Sequence, residues 1–252
     1  MTPDLPLHRP LLGEAEITAL AEVIQSGHLV QGPRVAAFEG ALAERMERGY
    51  VVACNSGTSA LHLAIDAMGC GPGDEVIVPA FGFPATANAV ELAGARAVPA
   101  DVDPERMALT PESIHEVCTE RTVGIVPVHP FGIPAPMAAL DELARQKGWW
   151  IVEDAACALG TEPRGRWGQR DRPVCLSFHP RKTVTTGEGG AVAVDDARLA
   201  TRLRERLNHG ISADGVDRGW QRFTSVGYNY RMADLAAAIG VIQLGRLDEF
   251  VS

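Results

Sequence analysis

The chain has 252 residues, 46% hydrophobic and 22% charged, a globular composition that leaves no room for a disordered or fibrous protein. This length suits one large domain or two small ones. The net charge of −9, with no extended lysine or arginine cluster, argues against a nucleic-acid or anionic-membrane surface, although a few local donors still suit a small anion.

Residues 1–12 are proline-rich and read as extended; Met1 to Pro6 lacks the basic-then-apolar pattern of a signal peptide. From Gly13, the positions Ile17, Leu20, Ala21 and Ile24 mark a helix stopping near Gly27, and Val35, Phe38, Leu42 and Met46 mark a second one closed at Gly49. From Tyr50 short apolar runs alternate with helical stretches. Strands are predicted at 50–54, 75–79, 95–99, 123–128, 149–153, 174–178 and 191–194, and helices at 60–68, 85–92, 111–118, 137–147 and 197–207. This alternation predicts a mostly parallel sheet covered on both faces. Residues 155–173 read as loop-rich (Gly160, Pro163, Gly165, Gly168), 208–224 as a long polar loop, and 231–250 as one long helix with Leu235, Ala238, Ile239, Ile242, Leu247 and Phe250 as its apolar positions. No apolar run approaches membrane-spanning length.

The five cysteines (Cys54, Cys70, Cys118, Cys157, Cys175) are scattered without a CxxC, as reduced thiols of a cytoplasmic protein would be. The seven histidines show no metal-ligand spacing, so no metal is expected.

Ligands of open α/β sheets sit beyond the carboxyl ends of strands, and five groups fall at such positions or beside them. Asn55-Ser56-Gly57-Thr58-Ser59 lies between a strand and a helix, where backbone N–H groups and hydroxyls suit a phosphate; it equally suits an ordinary N-cap by Ser56 or Thr58. Asp154 ends a strand and can pair with a cationic ring nitrogen or cap a following helix, while Glu153 alternates to the other face. Phe81 and Phe83 follow a strand and either stack on a flat ligand or fill the core. Ser177-Phe178-His179 precedes Lys182, and Gly187-Glu188-Gly189-Gly190 follows it. A lysine so placed is a candidate carbonyl nucleophile or a solvated loop residue. Gly227-Tyr228-Asn229-Tyr230-Arg231-Met232 enters the last helix, where Asn229 and Arg231 are donors, or an N-cap and a surface residue.

The order of these motifs resembles the DegT/DnrJ/EryC1/StrS sugar aminotransferases, fold-type I pyridoxal-phosphate (PLP) enzymes, from about Gly13 to Phe250. The resemblance implies a three-layer αβα fold of the aspartate aminotransferase type, with a mostly parallel seven-stranded sheet and the large domain only. It divides the chain into an N-terminal arm and first helix (1–34), a PLP-binding large domain (35–230) and the start of a helix leading to a missing small domain (231–252). Lys182 would be the Schiff-base lysine and proton carrier, and Asp154 the partner of the pyridinium nitrogen. Gly57, Thr58, Ser59 and Ser177 would hold the phosphate, Phe83 would stack on the ring, and Cys157 would lie beside the cofactor. Asn229 would reach the phosphate of the neighbouring subunit in a homodimer. The implied reaction moves an amino group from an amino acid, usually glutamate, to a keto sugar, nucleotide-linked, or a cyclitol.

Two departures bear on that expectation. Cys157 stands where relatives carry Gln or His. Relatives also continue into a smaller C-terminal domain of roughly a hundred residues. Alternative readings are therefore a truncated or split subunit that binds PLP but needs a separate C-terminal-domain partner, or a regulatory protein of the same fold. Lys182 favours the aminotransferases over the dehydratase branch, which has His there. Gln31, Gly32 and residues 208–224 are the candidate substrate contacts.

Overall fold

Strands whose two alternating sets of side chains are both apolar must be covered on both faces. The computed structural model, which describes residues 8–161, 172–217 and 220–252, has this arrangement. Its first eight strands are β1 (Tyr50–Cys54), β2 (Glu75–Pro79), β3 (Arg96–Ala100), β4 (Thr122–Ile125), β5 (Trp150–Ile151), β6 (Glu153–Asp154), β7 (Val174–Ser177) and β8 (Gly190–Val194). Segments β5 and β6 are parts of one strand interrupted at Val152. Spatial order runs β3-β2-β4-β5 on one side and β6-β7-β8-β1 on the other. Backbone bonds join the halves: Val152 N–H to the Ile125 carbonyl at 3.2 Å and Asp154 N–H to the Pro127 carbonyl at 2.9 Å. With β5 and β6 taken as one, this is the expected seven-stranded, mostly parallel sheet, and β8 runs antiparallel to both its neighbours.

Helices α1 (Glu14–Ser26), α2 (Pro33–Arg45), α3 (Gly57–Ala67), α4 (Ala85–Leu92), α5 (Pro111–Val117), α6 (Met137–Lys147), α7 (Ala197–Leu207), α8 (Asp234–Gly245) and α9 (Leu247–Val251) surround it. On one face Val52, Val76, Val126 and Val192 pack against Leu61 of α3, Val90 of α4 and Leu203 of α7. On the other, Val51, Ala53 and Leu176 meet Phe38 and Leu42 of α2 and Ala237 of α8, while Ile77 and Ile125 meet Ile114 of α5 and Leu140 of α6. Helix α8 approaches α2 closely at Gly240, where a Cβ would come within 2.8 Å of the Phe38 ring. Helix α1 lies on α8 through Ala19, Val23 and Ala238.

Three expectations need correction. The 208–224 segment is not a loop but holds an antiparallel hairpin, β9 (Ile211–Asp217) and β10 (Trp220–Phe223). Its alternation was invisible because the residues of β10 are exposed on both faces. The 231–250 helix is two helices that begin only at Asp234 and break at Arg246. Residues Arg231 and Ala233 instead form bridges to Cys54 and Val30. Leu244 and Leu247 are both buried across the break, so apolar periodicity runs straight through it. Finally, α2 ends at Arg45 rather than Gly49. Residues 1–7, in the extended N-terminal stretch, and residues 162–171, within the expected loop and including Pro163, Gly165 and Gly168, lie outside the described residues.

Asp234 joins the start of α8 to the start of α2. Its carboxylate, 1% exposed, accepts the N–H groups of Gly32 at 2.7 Å and of Arg34 and Val35 at 3.2 Å. Asp234→Ala leaves these donors without their acceptor, and we expect a loss of about 2–4 kcal/mol in urea unfolding. Asp234→Asn, which keeps one acceptor oxygen, loses less.

Candidate active site

Strands β1, β2, β6 and β7 all point the same way, so residues 55–59, 80–86, 155–157 and 178–182 gather at one edge of the sheet. At the start of α3, Ser56 is the N-cap, its Oγ accepting the Ser59 N–H at 3.0 Å. The Ser59 hydroxyl, nearly buried, donates to Asn55 Oδ1 at 2.6 Å. The N–H groups of Gly57 and Thr58 belong to a first helical turn and lie beyond the reach of intrahelical acceptors, an arrangement that suits an anion. Ser177 faces this turn. A Cβ at Gly57 would lie 2.7 Å from Ser177 Cβ, so glycine is what lets the turn close on the serine.

Asp154 is 5% exposed. Its Oδ2 accepts the Thr86 hydroxyl at 2.7 Å, and its Oδ1 accepts the Ala156 N–H at 3.1 Å. A turn rather than a helix follows, so the aspartate is not a helix cap. Glu153 points to the opposite face, as strand alternation requires, and is fully buried with His129 Nε2 at 2.9 Å and Arg172 Nε at 2.8 Å. The Ala135 N–H donates to His129 Nδ1, so the proton on Nε2 is the one given to Glu153.

Lys182 is half-buried, and its Nζ donates to the exposed Cys157 Sγ at 3.0 Å. Phe81 and Phe83 are 46% and 69% exposed, which rules out the core alternative. The loop carries them past the end of β2, and Phe83 is anchored through its carbonyl, which accepts the Thr86 N–H at 3.3 Å. Asn229 is also exposed. It precedes no helix directly, and its carbonyl accepts Asn55 Nδ2 at 3.4 Å. Arg231 is held by Asn208 Oδ1 at 2.7 Å. The Gly32 N–H is taken by Asp234, while Gln31 adopts a positive φ of 49°.

Direct contacts thus join Gly57 with Ser177, and Cys157 with Lys182. Asp154 and Phe83 meet through Thr86, which the sequence reading missed. Its signal was a lone hydroxyl in the apolar opening of α4. His62 was also missed: its Nδ1 lies 3.1 Å from the Tyr230 hydroxyl and ties the 228–231 segment to α3. Its signal was a polar residue between Leu61 and Leu63 on a buried helix. Among the described residues no group of histidine, cysteine and carboxylate side chains could hold a metal, and no helix is long and apolar enough to cross a membrane.

A mostly parallel seven-stranded sheet with these groups at one edge is the large-domain architecture of the PLP-dependent aminotransferases. The chain belongs to the DegT/DnrJ/EryC1/StrS aminotransferase family, whose model matches residues 10–252. The aminotransferase from Psychrobacter cryohalolentis superposes with a TM-score of 0.91 at 34% identity, covering 96% of this chain and 64% of that one. The S. venezuelae DesV structure, a complex with a ketimine intermediate, gives 0.86 at 39%, covering 93% and 62%. NtdA from Bacillus subtilis, with bound cofactor PMP, gives 0.86 at 30%, covering 99% and 58%. The chain therefore spans less than two thirds of the length of these relatives.

Two measurements check this geometry. Burial pushes the Cys54 thiol up to about 12 and raises Cys175 well above its ordinary value, whereas Cys157 is exposed. Near neutral pH iodoacetamide should label Cys157 first in peptide mass maps and reach Cys54 and Cys175 only after unfolding. Burial also lowers the pKa of His62 below its ordinary 6.5. The unfolded chain then binds the proton more tightly, so the contribution of His62 is complete above pH 6.5 and is lost as the pH falls below it. His62→Asn should flatten the fall of the thermal midpoint in that acid range.

Proposed function

We propose that the chain forms the PLP-binding part of an aminotransferase that carries an amino group from glutamate to a keto sugar, nucleotide-linked, or to a cyclitol. The observation that carries this reading is the set of groups at one sheet edge: an amine at Lys182, a buried carboxylate at Asp154, and the Gly57–Ser177 turn. Family membership and the likeness to NtdA with its bound PMP support it. The donor set fits the cofactor. Hydroxyl and N–H donors suit its phosphate, a carboxylate suits a protonated ring nitrogen, and a primary amine suits its aldehyde.

PLP, when bound, supplies an electron sink for the carbon that loses or gains the amino group. The residues of the chain do the rest. Gly57 and Thr58 N–H groups, with Ser59 and Ser177, hold the phosphate. Asp154 keeps the ring nitrogen protonated, and the exposed Phe83 stacks on the ring. Lys182 Nζ must lose a proton to act as a nucleophile, and it then moves a proton between substrate and cofactor carbons. Cys157 already accepts a hydrogen bond from that nitrogen; a thiol here donates more weakly than the amide or imidazole of relatives. In this reading the protein is a cytoplasmic homodimer with shared sites, in which Asn229, exposed here, reaches the second copy of the chain.

The test is to titrate the purified chain with pyridoxal phosphate, add glutamate and follow the visible absorbance. We expect a visible band that glutamate discharges in the parent chain and no such band in Lys182→Ala. A parent chain with no visible band overturns the reading.

A further inference from the structure

Phe83, on the loop after β2, and Asp154, at the end of β6, are the two residues placed against the ring in the reading above. One residue bonds both stretches, Thr86, with its backbone to one and its side chain to the other. The Thr86 N–H donates to the Phe83 carbonyl at 3.3 Å, and the Thr86 hydroxyl donates to Asp154 Oδ2 at 2.7 Å. Thr86 is 4% exposed and Asp154 5%, so water contributes little to either bond. The Ala156 N–H occupies Oδ1 at 3.1 Å. With one donor on each oxygen the carboxylate cannot turn about its Cβ–Cγ bond without breaking a buried bond. Each oxygen still keeps acceptor capacity for a further donor. A β-branched residue in the first turn of α4 adds stiffness, because its methyl group restricts χ1.

We propose that Thr86 is a positioning residue: it orients the Asp154 carboxylate toward the cofactor's ring nitrogen and locks that carboxylate to the loop bearing Phe83. The proposal rests on the PLP reading of the site. It gives a polar side chain buried beside the carboxylate a task distinct from packing. The task requires a donor hydroxyl, so serine fulfils it in part and valine, of nearly the same shape, does not.

The test compares the affinity of the whole chain for pyridoxal phosphate with that for its 1-deaza analogue, in which carbon replaces the ring nitrogen. For Thr86→Val we expect pyridoxal phosphate to bind about tenfold more weakly, as for loss of a hydrogen bond to a charged group, and the analogue to stay within about twofold. Thr86→Ser should recover most of the loss. Equal weakening of both ligands, or none of either, overturns the positioning role. The readout is a ratio of two affinities on one folded variant, so a uniform loss of stability does not move it. If Thr86→Val does not fold, Thr86→Ala is read in the same way. A parent chain that binds neither ligand overturns the cofactor reading itself, and the Thr86 role with it.

Discussion

The strand Trp150 to Asp154 is the constraint on which the molecule depends. Its first half bonds to β4 and its second half to β7, so it closes two half-sheets into one. Between the halves, Val152 keeps the ladder going through its bond to Ile125. Register matters at such a seam. A slip of one residue would exchange Glu153 and Asp154 between faces, and each is suited to only one of them.

The back face shows why. Glu153 is fully buried and charged groups are costly there unless paired. His129 and Arg172 supply the pairing, and Arg172 also meets Asp141 of α6. Breaking such a pair leaves a buried charge unpaired, so a slip that carried Glu153 away from these partners would be costly. His129 serves twice, because its backbone N–H donates to the Asp154 carbonyl at 3.0 Å. The residue that fixes Glu153 behind the sheet thus also fixes the backbone of the aspartate in front of it.

Much of this was legible in the sequence. Apolar runs bounded by glycine and proline placed the sheet strands, because their burial on both faces leaves a continuous hydrophobic signal. Asp154 and Ser177 could be placed at strand ends by counting. The contacts between loops were not legible, since the approach of Cys157 to Lys182 and of Gly57 to Ser177 depends on crossovers that no local pattern encodes. Thr86 was missed for the same reason: its partner is 68 positions away. The hairpin at 211–223 escaped because exposure on both sides of β10 removes the period-two signal, and the break at Arg246 because the buried face continues across it.

The site is held unevenly. Asp154 ends a strand and has a donor on each oxygen, and Ser177 ends the adjacent strand beside a helix start. Lys182 instead follows a turn, and among the described residues its amine bonds the sulfur of an exposed loop residue. Sulfur is a weak acceptor, so that contact restrains the amine far less than the bonds restrain the carboxylate. Under the proposed function this asymmetry is what the chemistry asks for. The group facing the ring nitrogen has to stay fixed while charge moves through the ring, which preorganised bonds accomplish. The amine has to visit two carbon atoms in turn, and a tight ion pair would hold it back. The strand fixes what must not move, and the loop carries what must.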